Sequence, residues 1–268
     1  MQSITRKAAF LAVFFLASCA VSPTGRDQLL LFSDSELNQM GRDSFSDLKR
    51  NTPRVKSHRV NRYVDCVAQS LINVLPNDEL SPNAWEVVVF DDDQINAFAL
   101  PGGYIGVYRG MLEATENQHQ LAAVIGHELA HVRAQHGNER VSQQALVQFG
   151  LAVAAAGLEA EGVSRPQDWQ NAIGLGLQMG VLMPFSRTHE LEADDLGMRY
   201  MARAGFDPKQ GEILWRNMQQ RSGSGAPEFM STHPSERSRI QQIQRQLPHL
   251  MELRLTAQQE GRSPSCTL

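Results

Sequence analysis

The sequence predicts an α+β fold that is mostly helical and contains a small β-sheet. Apolar residues recur at helical spacing over residues 33–48 and again over 58–75, where Val60, Val64 and Val67 lie on one face. The β-branched run AWEVVVF indicates a strand, and DDDQINAFALPGGYIGVYRGML indicates a further strand that is broken by a Pro-Gly-Gly turn. Because 42% of the 268 residues are hydrophobic, we expect one sizeable globular domain.

The first 18 residues have the organisation of an export signal. Arg6 and Lys7 precede an apolar run that is too short to span a bilayer as a permanent helix. The following LASC resembles the lipobox of bacterial lipoproteins, which implies that Cys19 becomes the lipidated first residue of the mature protein. Ala20 stands where an aspartate would favour the inner membrane, so the resemblance implies an outer-membrane anchor on the periplasmic side. The alternative is an ordinary secretory signal with a stray cysteine.

The chain is therefore expected to contain four parts. These are a signal peptide (1–18), a lipidated extended tether (19–32), a main domain (33–247) and a C-terminal tail (248–268). Several acyl chains on one cysteine would attach the tether stably to the membrane. Loss of the two cations of the signal changes the formal charge from −4 to −6, so we expect no nucleic-acid partner.

Two cysteines remain after the tether. In an exported protein, Cys66 and Cys266 are candidates for a disulfide that joins the tail to the main domain, and two unpaired thiols are the alternative.

Two apolar stretches, residues 145–157 and 171–183, are each shorter than the roughly 20 residues that a membrane-spanning helix needs. We expect buried helices there. A hairpin that dips into the membrane or covers a cleft is the alternative.

The stretch GHELAHV places two histidines and a glutamate in an apolar run. His127 and His131 lie one helical turn apart and project from the same side, so both imidazoles can bind one Zn²⁺ at about 2.0–2.1 Å. Glu128 lies next to them around the helix, where it can contact a metal-bound water. A chance match to this common motif, with histidines satisfied by backbone groups, is the alternative.

The helix that carries this motif is expected to begin at a capping box formed by Thr115 and Gln118, and to end near Gly137. The remaining histidines fit no ligand geometry and are expected at the surface; they are His58, His119, His136, His189 and His249.

A third zinc ligand is expected in the segment SRTHELEADDLG. Glu190 and Asp194 lie four residues apart and can point from one helical face toward the first helix. Glu190 can bind the metal, while Asp194 can accept a hydrogen bond from a liganding histidine and fix its tautomer. Glu192 is the rival ligand. A solvated acidic helix start is the alternative for the whole segment.

Several short motifs in this order resemble metallopeptidase family 48, a gluzincin family that includes HtpX and the CAAX prenyl proteases. They run from residue 24 to residue 240 and are TGRDQL, NAFALPGGYI, GHELAHV, SRTHELEADDLG, AGFDP and STHPSERSRI. The resemblance implies a zincin-like fold with one Zn²⁺ per chain. It implies that His127, His131 and Glu190 are the zinc ligands, that Glu128 is the general base and that Asp194 supports a ligand. The lipobox points to the periplasmic lipoprotein branch of the family.

The same resemblance implies a substrate strand. Asn96, Ala97 and Phe98 lie in a segment that looks like the family's active-site edge strand, which holds an extended peptide through main-chain hydrogen bonds. A purely structural strand and turn is the alternative there. His233 matches a family histidine near the metal, which could stabilise the oxyanion or occupy the open zinc position. Arg239 ends the same motif and is expected to be structural.

These features predict a zinc endopeptidase that is anchored to the outer membrane and hydrolyses unfolded or misfolded envelope proteins in the periplasm. Outer-membrane assembly proteins are candidate partners. The alternative is a zinc-containing lipoprotein that acts as a chaperone-like binding module for outer-membrane proteins. The complete set of base and ligands favours the enzyme, because structural zinc sites usually have four closed protein ligands.

Overall fold

The computed structural model describes residues 19–76, 85–160, 185–221, 228–234 and 237–268. In chain order the described residues form β1 (Cys19–Val21), β2 (Asp27–Leu29), α1 (Asp34–Asn51), α2 (His58–Ile72), β3 (Glu86–Phe90), β4 (Ala97–Leu100), β5 (Tyr104–Tyr108), α3 (Arg109–Ala114), α4 (Gln118–Arg133), α5 (His136–Ala160), α6 (Arg187–Arg203), α7 (Pro208–Arg221), α8 (Glu228–Thr232) and α9 (Arg237–Gln259). This mostly helical content with small sheets confirms the predicted α+β class. The described residues divide into two compact units, one within Met1–Ser33 and Gln135–Met183, the other within Asp34–Ala134 and Pro184–Leu268.

The first unit contains a β-hairpin where the sequence predicts an extended tether. β1 and β2 pair in antiparallel register, with Ala20 opposite Gln28, and Gly25 adopts a φ of 90° in the turn. Arg26 forms a two-pronged ion pair with Glu139 of α5 at 2.7 and 2.8 Å, and Gln28 Nε2 donates to the same carboxylate at 3.0 Å. The chain here is extended, as predicted, but it is paired and docked on α5 rather than free.

Three other predicted segments fall within the residue ranges of the first unit. The first apolar stretch, residues 145–157, is helical within α5, but Val147 is 59% exposed, so this position is not buried as predicted. The second stretch, residues 171–183, and the predicted signal peptide, residues 1–18, lie outside the described residues. Among the helices that the structure describes, none combines the length and the apolar character needed to cross a membrane.

The second unit contains a three-stranded sheet in the order β3-β5-β4. β3 runs parallel to β5 and β4 runs antiparallel to it, and the predicted Pro-Gly-Gly turn connects β4 to β5. The outer edge of β3 is covered, because Val55 N donates to Val89 O and Asp91 N donates to Pro53 O, both within 2.9 Å. Within the described residues, β4 is therefore the edge of this sheet that remains open.

The boundaries of α4 differ from the prediction. The N-cap is Asn117, whose Oδ1 accepts hydrogen bonds from the N–H groups of His119 and Gln120 at 3.0 and 3.1 Å. Thr115 instead donates its hydroxyl back to carbonyls of α3, so the predicted capping box is wrong. The helix also ends before Gly137, at Arg133, and Gly137 lies inside α5. A strong local cap at Asn117 outcompetes the weaker box beside it.

The C-terminal segment is attached to the body of the second unit. α9 continues through Pro248, so the predicted boundary between domain and tail lies inside a helix. Cys266 forms a disulfide with Cys66 of α2. Gln118, the first residue of α4, donates to Pro264 O at 3.0 Å and accepts from Cys266 N at 2.7 Å. The tail therefore holds the start of α4 as well as α2.

Candidate metal centre

Separate elements of the second unit bring buried polar side chains to one point. α4 supplies His127, Glu128 and His131, and α6 supplies Glu190. The segment that follows α8 supplies His233. All five side chains are buried in an otherwise apolar interior. Buried polar groups need hydrogen-bond or charge partners. Five such side chains at one point therefore indicate a bound cation or another ligand that would pair with them.

The distances between the ligand atoms fit one small cation. Nε2 of His127 lies 3.0 Å from Nε2 of His131 and 3.2 Å from Nδ1 of His233. The Glu190 carboxylate lies 3.4 Å from both Nε2 atoms and 3.1 Å from Nδ1 of His233. A tetrahedral zinc ion with bonds of about 2.0–2.1 Å requires ligand atoms about 3.3–3.4 Å apart. The four side chains therefore match the size of a zinc site, and this group is buried throughout.

A second layer of side chains holds the ligands. Asp194 Oδ1 lies 3.0 Å from Nδ1 of His127, a position that favours a proton on Nδ1 and leaves the Nε2 lone pair free for a metal. Arg239 donates from Nε and Nη2 to the two oxygens of Asp194 at 2.6 and 2.8 Å. Nη1 of the same guanidinium lies 2.6 Å from Glu190 Oε2. Asp194 thus lies at the distance that its predicted support role needs, but Nδ1 of His127 forms no aligned hydrogen bond within the described residues, and the role stays a prediction.

The charges of the centre shift the pKa values of its members. Burial alone would lower the pKa of His127, but the carboxylates of Glu190 and Asp194 outweigh it and raise the pKa to about 9. Burial would raise the pKa of Glu190, but Arg239 and His127 reverse this effect and hold it well below its usual range. Glu190 is therefore an anion at neutral pH, which is the form that binds a metal.

Glu128 differs from Glu190 in its surroundings. Its carboxylate lies beside the ligand group, with Oε1 3.5 Å from Nε2 of His233, and this buried oxygen has no hydrogen bond within the described residues. Burial, the largest influence, raises its pKa despite the nearby histidines. A carboxylate with a raised pKa that is not itself part of the ligand group can accept and return a proton near neutral pH.

Two glycines set the distance between the helices that carry the ligands. α4 and α6 cross where Gly126 meets Gly197. A Cβ atom on Gly197 would lie 2.8 Å from the backbone nitrogen of His127, and one on Gly126 would lie 3.0 Å from the carbonyl oxygen of Gly197. This close crossing brings Glu190 within reach of the two histidines of α4.

The structure also locates the rival ligand, the histidines expected at the surface and the arginine expected to be structural. Glu192, the rival ligand, is buried but is not a member of the metal-binding group found in the described part of the chain. His136 and His189 are buried, so their predicted surface location is wrong. Arg239 is buried as a structural residue would be, but it also contacts Glu190, a candidate ligand. Its contacts join segments far apart in the chain, so helical spacing did not show them.

The segment predicted to be the substrate strand forms β4, with Asn96 directly before it, and its role in binding substrate stays a prediction. Asn96 Oδ1 accepts from Ala97 N at 2.9 Å, and Asn96 O accepts from Tyr108 N of β5 at 3.1 Å. In an antiparallel pair the bonded residues alternate, so the backbone of Phe98 faces β5, whereas Ala97 and Ala99 face the open edge. Of the three predicted contacts, Ala97 presents its carbonyl oxygen to the edge, since its N–H is bonded to Asn96 Oδ1, and the backbone of Phe98 faces β5.

A buried HExxH pair joined by a glutamate of a second helix, with a further carboxylate beside them, defines the class of zinc metallopeptidases. Residues 58–247 match the family model described as Peptidase family M48, and the chain therefore belongs to peptidase family M48. This confirms the resemblance that the sequence motifs suggest. Metallopeptidases of this family use zinc, in agreement with the buried ligand group.

The relatives of this chain carry names of two kinds, mitochondrial metalloendopeptidases and a bacterial β-barrel assembly-enhancing protease. The chain is 35% identical to Metalloendopeptidase OMA1, mitochondrial, of Danio rerio, over 91% of this chain and 53% of the relative. It is 36% identical to Mitochondrial metalloendopeptidase OMA1 of Schizosaccharomyces pombe, over 75% of this chain and 57% of the relative. It is 28% identical to the Beta-barrel assembly-enhancing protease of Escherichia coli, over 75% of this chain and 42% of the relative. The chain spans about half the length of these curated relatives.

Proposed function

We propose that this protein is a zinc-dependent endopeptidase that hydrolyses unfolded or misfolded proteins of the cell envelope. The observation that carries the proposal is the buried group of three histidines and Glu190 with the separate carboxylate of Glu128 beside it. Zinc bound there supplies Lewis-acid chemistry, because it polarises a scissile carbonyl and makes a water molecule more acidic. The protein side chains supply orientation and proton transfer.

Each side chain has a distinct role in this proposal. Glu128 accepts the proton of the attacking water and returns it to the departing amine, which suits its raised pKa. Asp194 holds the tautomer and orientation of His127. His233 stands within ligand distance in this conformation, so it must swing away when substrate enters, and its Nε2 can then donate to the oxyanion.

The substrate lies along the open edge of β4. This strand packs against α4, the helix that carries the HExxH motif, and Phe229 N of α8 donates to Ile95 O just before the strand. An extended peptide would bond to the outward main-chain groups of Ala97 and Ala99, and the amide of Asn96 would orient it. Recognition through main-chain groups suits unfolded chains because it depends little on side-chain identity.

The location of the protein is part of the proposal. The export signal, the lipobox that ends at Cys19 and the name of the Escherichia coli relative support an outer-membrane anchor and a role in quality control of β-barrel proteins. The mitochondrial location that two relatives carry in their names belongs to those proteins. Outer-membrane assembly proteins are the partners that this location suggests.

The second candidate is a chaperone-like binding module whose zinc is structural. The observation that favours it is that His233 completes a set of four protein ligand atoms, as in closed structural sites. A module of this kind would hold unfolded outer-membrane proteins without cutting them.

Glu128→Gln separates the two candidates. The zinc-loaded variant should cleave unfolded casein about 10²- to 10⁴-fold more slowly than the wild type, because the proton acceptor is lost while the ligands stay. Cleavage is followed by gel and mass spectrometry, and zinc content is measured by atomic absorption. Removal of zinc by a chelator should stop casein cleavage by the wild type.

Equal cleavage by wild type and Glu128→Gln would exclude Glu128 as the base. Intact casein with the wild type favours the module unless His233 holds the site closed, so His233→Asn is the matched variant, because its amide can donate to an oxyanion but is a poor zinc ligand. Intact casein with both the zinc-loaded wild type and the zinc-loaded His233→Asn protein would exclude the peptidase.

A further inference from the structure

Arg239 is the most completely buried arginine of the described residues, with a relative exposure of 2%. Burial of an unpaired charge is strongly unfavourable, so a buried arginine must be fully paired. Two donors bind the Asp194 carboxylate side on, at 2.6 and 2.8 Å, and the plane packs over the Trp215 ring at 4.6 Å. The position of the guanidinium is therefore determined by Asp194 and Trp215.

With its position determined in this way, Arg239 also acts on Glu190. Nη1 lies 2.6 Å from Glu190 Oε2, an ion pair that lacks hydrogen-bond alignment. The other oxygen, Oε1, lies 3.1 Å from Nδ1 of His233 and 3.4 Å from Nε2 of His131. Oε2 also lies 3.4 Å from Nε2 of His127, so both carboxylate oxygens face ligand nitrogens and Arg239 contacts one of the two.

Arg239 also contacts the segment that carries His233. Nη1 donates to the carbonyl oxygens of His233 and Pro234 at 3.5 and 3.3 Å. These bonds are long, but they come from the same nitrogen that faces Glu190. A displacement of the guanidinium would therefore disturb Glu190 and the His233 segment together.

We propose that Arg239 is a positioning residue that holds the Glu190 carboxylate in its orientation toward the ligand nitrogens and couples it to the segment of His233. The proposal rests on the metal centre of the proposed function. It assigns a role to a residue that the sequence motif alone presents as structural. A lysine would keep the positive charge but lose the fork that contacts two carboxylates at once.

Arg239→Lys is the test, because it changes geometry without changing formal charge. Loss of a partner behind the ligands typically weakens metal binding about 10- to 100-fold, so we expect the zinc dissociation constant of Arg239→Lys to rise by that factor. Zinc affinity is measured by competition with a chromophoric chelator. We also expect the visible spectrum of the cobalt-substituted variant to differ from that of the wild type, because Glu190 without this contact can change its orientation at the metal.

Arg254→Lys is the matched control, since Arg254 lies on the same helix and pairs with Asp207 at 3.3 Å, away from the metal ligands. Its zinc affinity and cobalt spectrum should equal those of the wild type. Wild-type affinity and spectrum in Arg239→Lys would overturn the proposal. So would an Arg239→Lys protein that stays unfolded in excess zinc, because Arg239 would then be required for folding itself. Neither readout uses peptidase activity, so a protein that binds zinc as expected but cleaves nothing contradicts only the proposed function.

Discussion

At the scale of single residues, His127 of the metal-free centre carries a proton that must leave when zinc binds. The pKa of His127 is raised from 6.5 to about 9, because Glu190 and Asp194 together outweigh the effect of burial. A raised pKa means that protonation of His127 stabilises the metal-free fold fully below pH 6.5. This stabilisation is lost as the pH rises toward 9. The neutral ring is the form that binds zinc.

Zinc binding at pH 7.5 is therefore expected to release a proton, and zinc affinity should increase with pH until about 9. Titration calorimetry of the metal-free protein in two buffers with different ionisation heats measures this release. The apparent binding enthalpies should differ by the difference between the buffer heats multiplied by the number of protons released. Identical enthalpies in both buffers would contradict the raised pKa.

At the scale of elements, the crossing of α4 and α6 determines whether the ligands meet. Helical spacing places His127 and His131 on one side of α4, but Glu190 reaches them only because Gly197 lets the backbones approach closely. A methyl group there would meet backbone atoms, which cannot rotate away as a side chain can. The helices must therefore separate if Gly197 is enlarged.

Gly197→Ala is expected to lower the free energy of unfolding by about 1–3 kcal/mol, the usual cost of overpacking, and to weaken zinc binding. Gly137→Ala is the matched control, because Gly137 is also helical and nothing lies within 4 Å of its added methyl group. The control should be neutral or more stable by up to about 1 kcal/mol through helix propensity. Urea unfolding and zinc competition of both variants test this. Equal stability of the two would show that the crossing tolerates a larger residue.

At the scale of the whole molecule, the disulfide links regions that are far apart in the chain. Cys66 and Cys266 are separated by 200 residues, and the linked tail bonds to Gln118 at the start of the helix that carries His127. The cross-link thus constrains the unfolded chain and attaches the tail beside α4.

Removal of the cross-link by the double change Cys66→Ser and Cys266→Ser should lower the free energy of unfolding by about 2–5 kcal/mol; the chain-entropy model gives about 5 kcal/mol for this loop. Urea unfolding of this variant and of the oxidised wild type measures the difference. Reduction of the wild type should reproduce the loss. A variant as stable as the oxidised wild type would show that the tail is held by its hydrogen bonds alone.

The features that depend on local backbone geometry could be predicted from the sequence alone. The period of a helix is set by its covalent structure, so the spacing of His127 and His131, and of Glu190 and Asp194, was enough to place each pair on one face. The motif order was enough to predict the family, and the strand pattern was enough to predict β4.

Which distant groups meet depends on the three-dimensional packing. The contact of Arg239 with Glu190 and the docking of the N-terminal hairpin on Glu139 each join segments that no local pattern connects. Local competition decided the rest, since the cap at Asn117 replaced the predicted box at Thr115. The physical reason is that packing energies and ion pairs depend on proximity in space, whereas a sequence pattern reports only proximity along the chain.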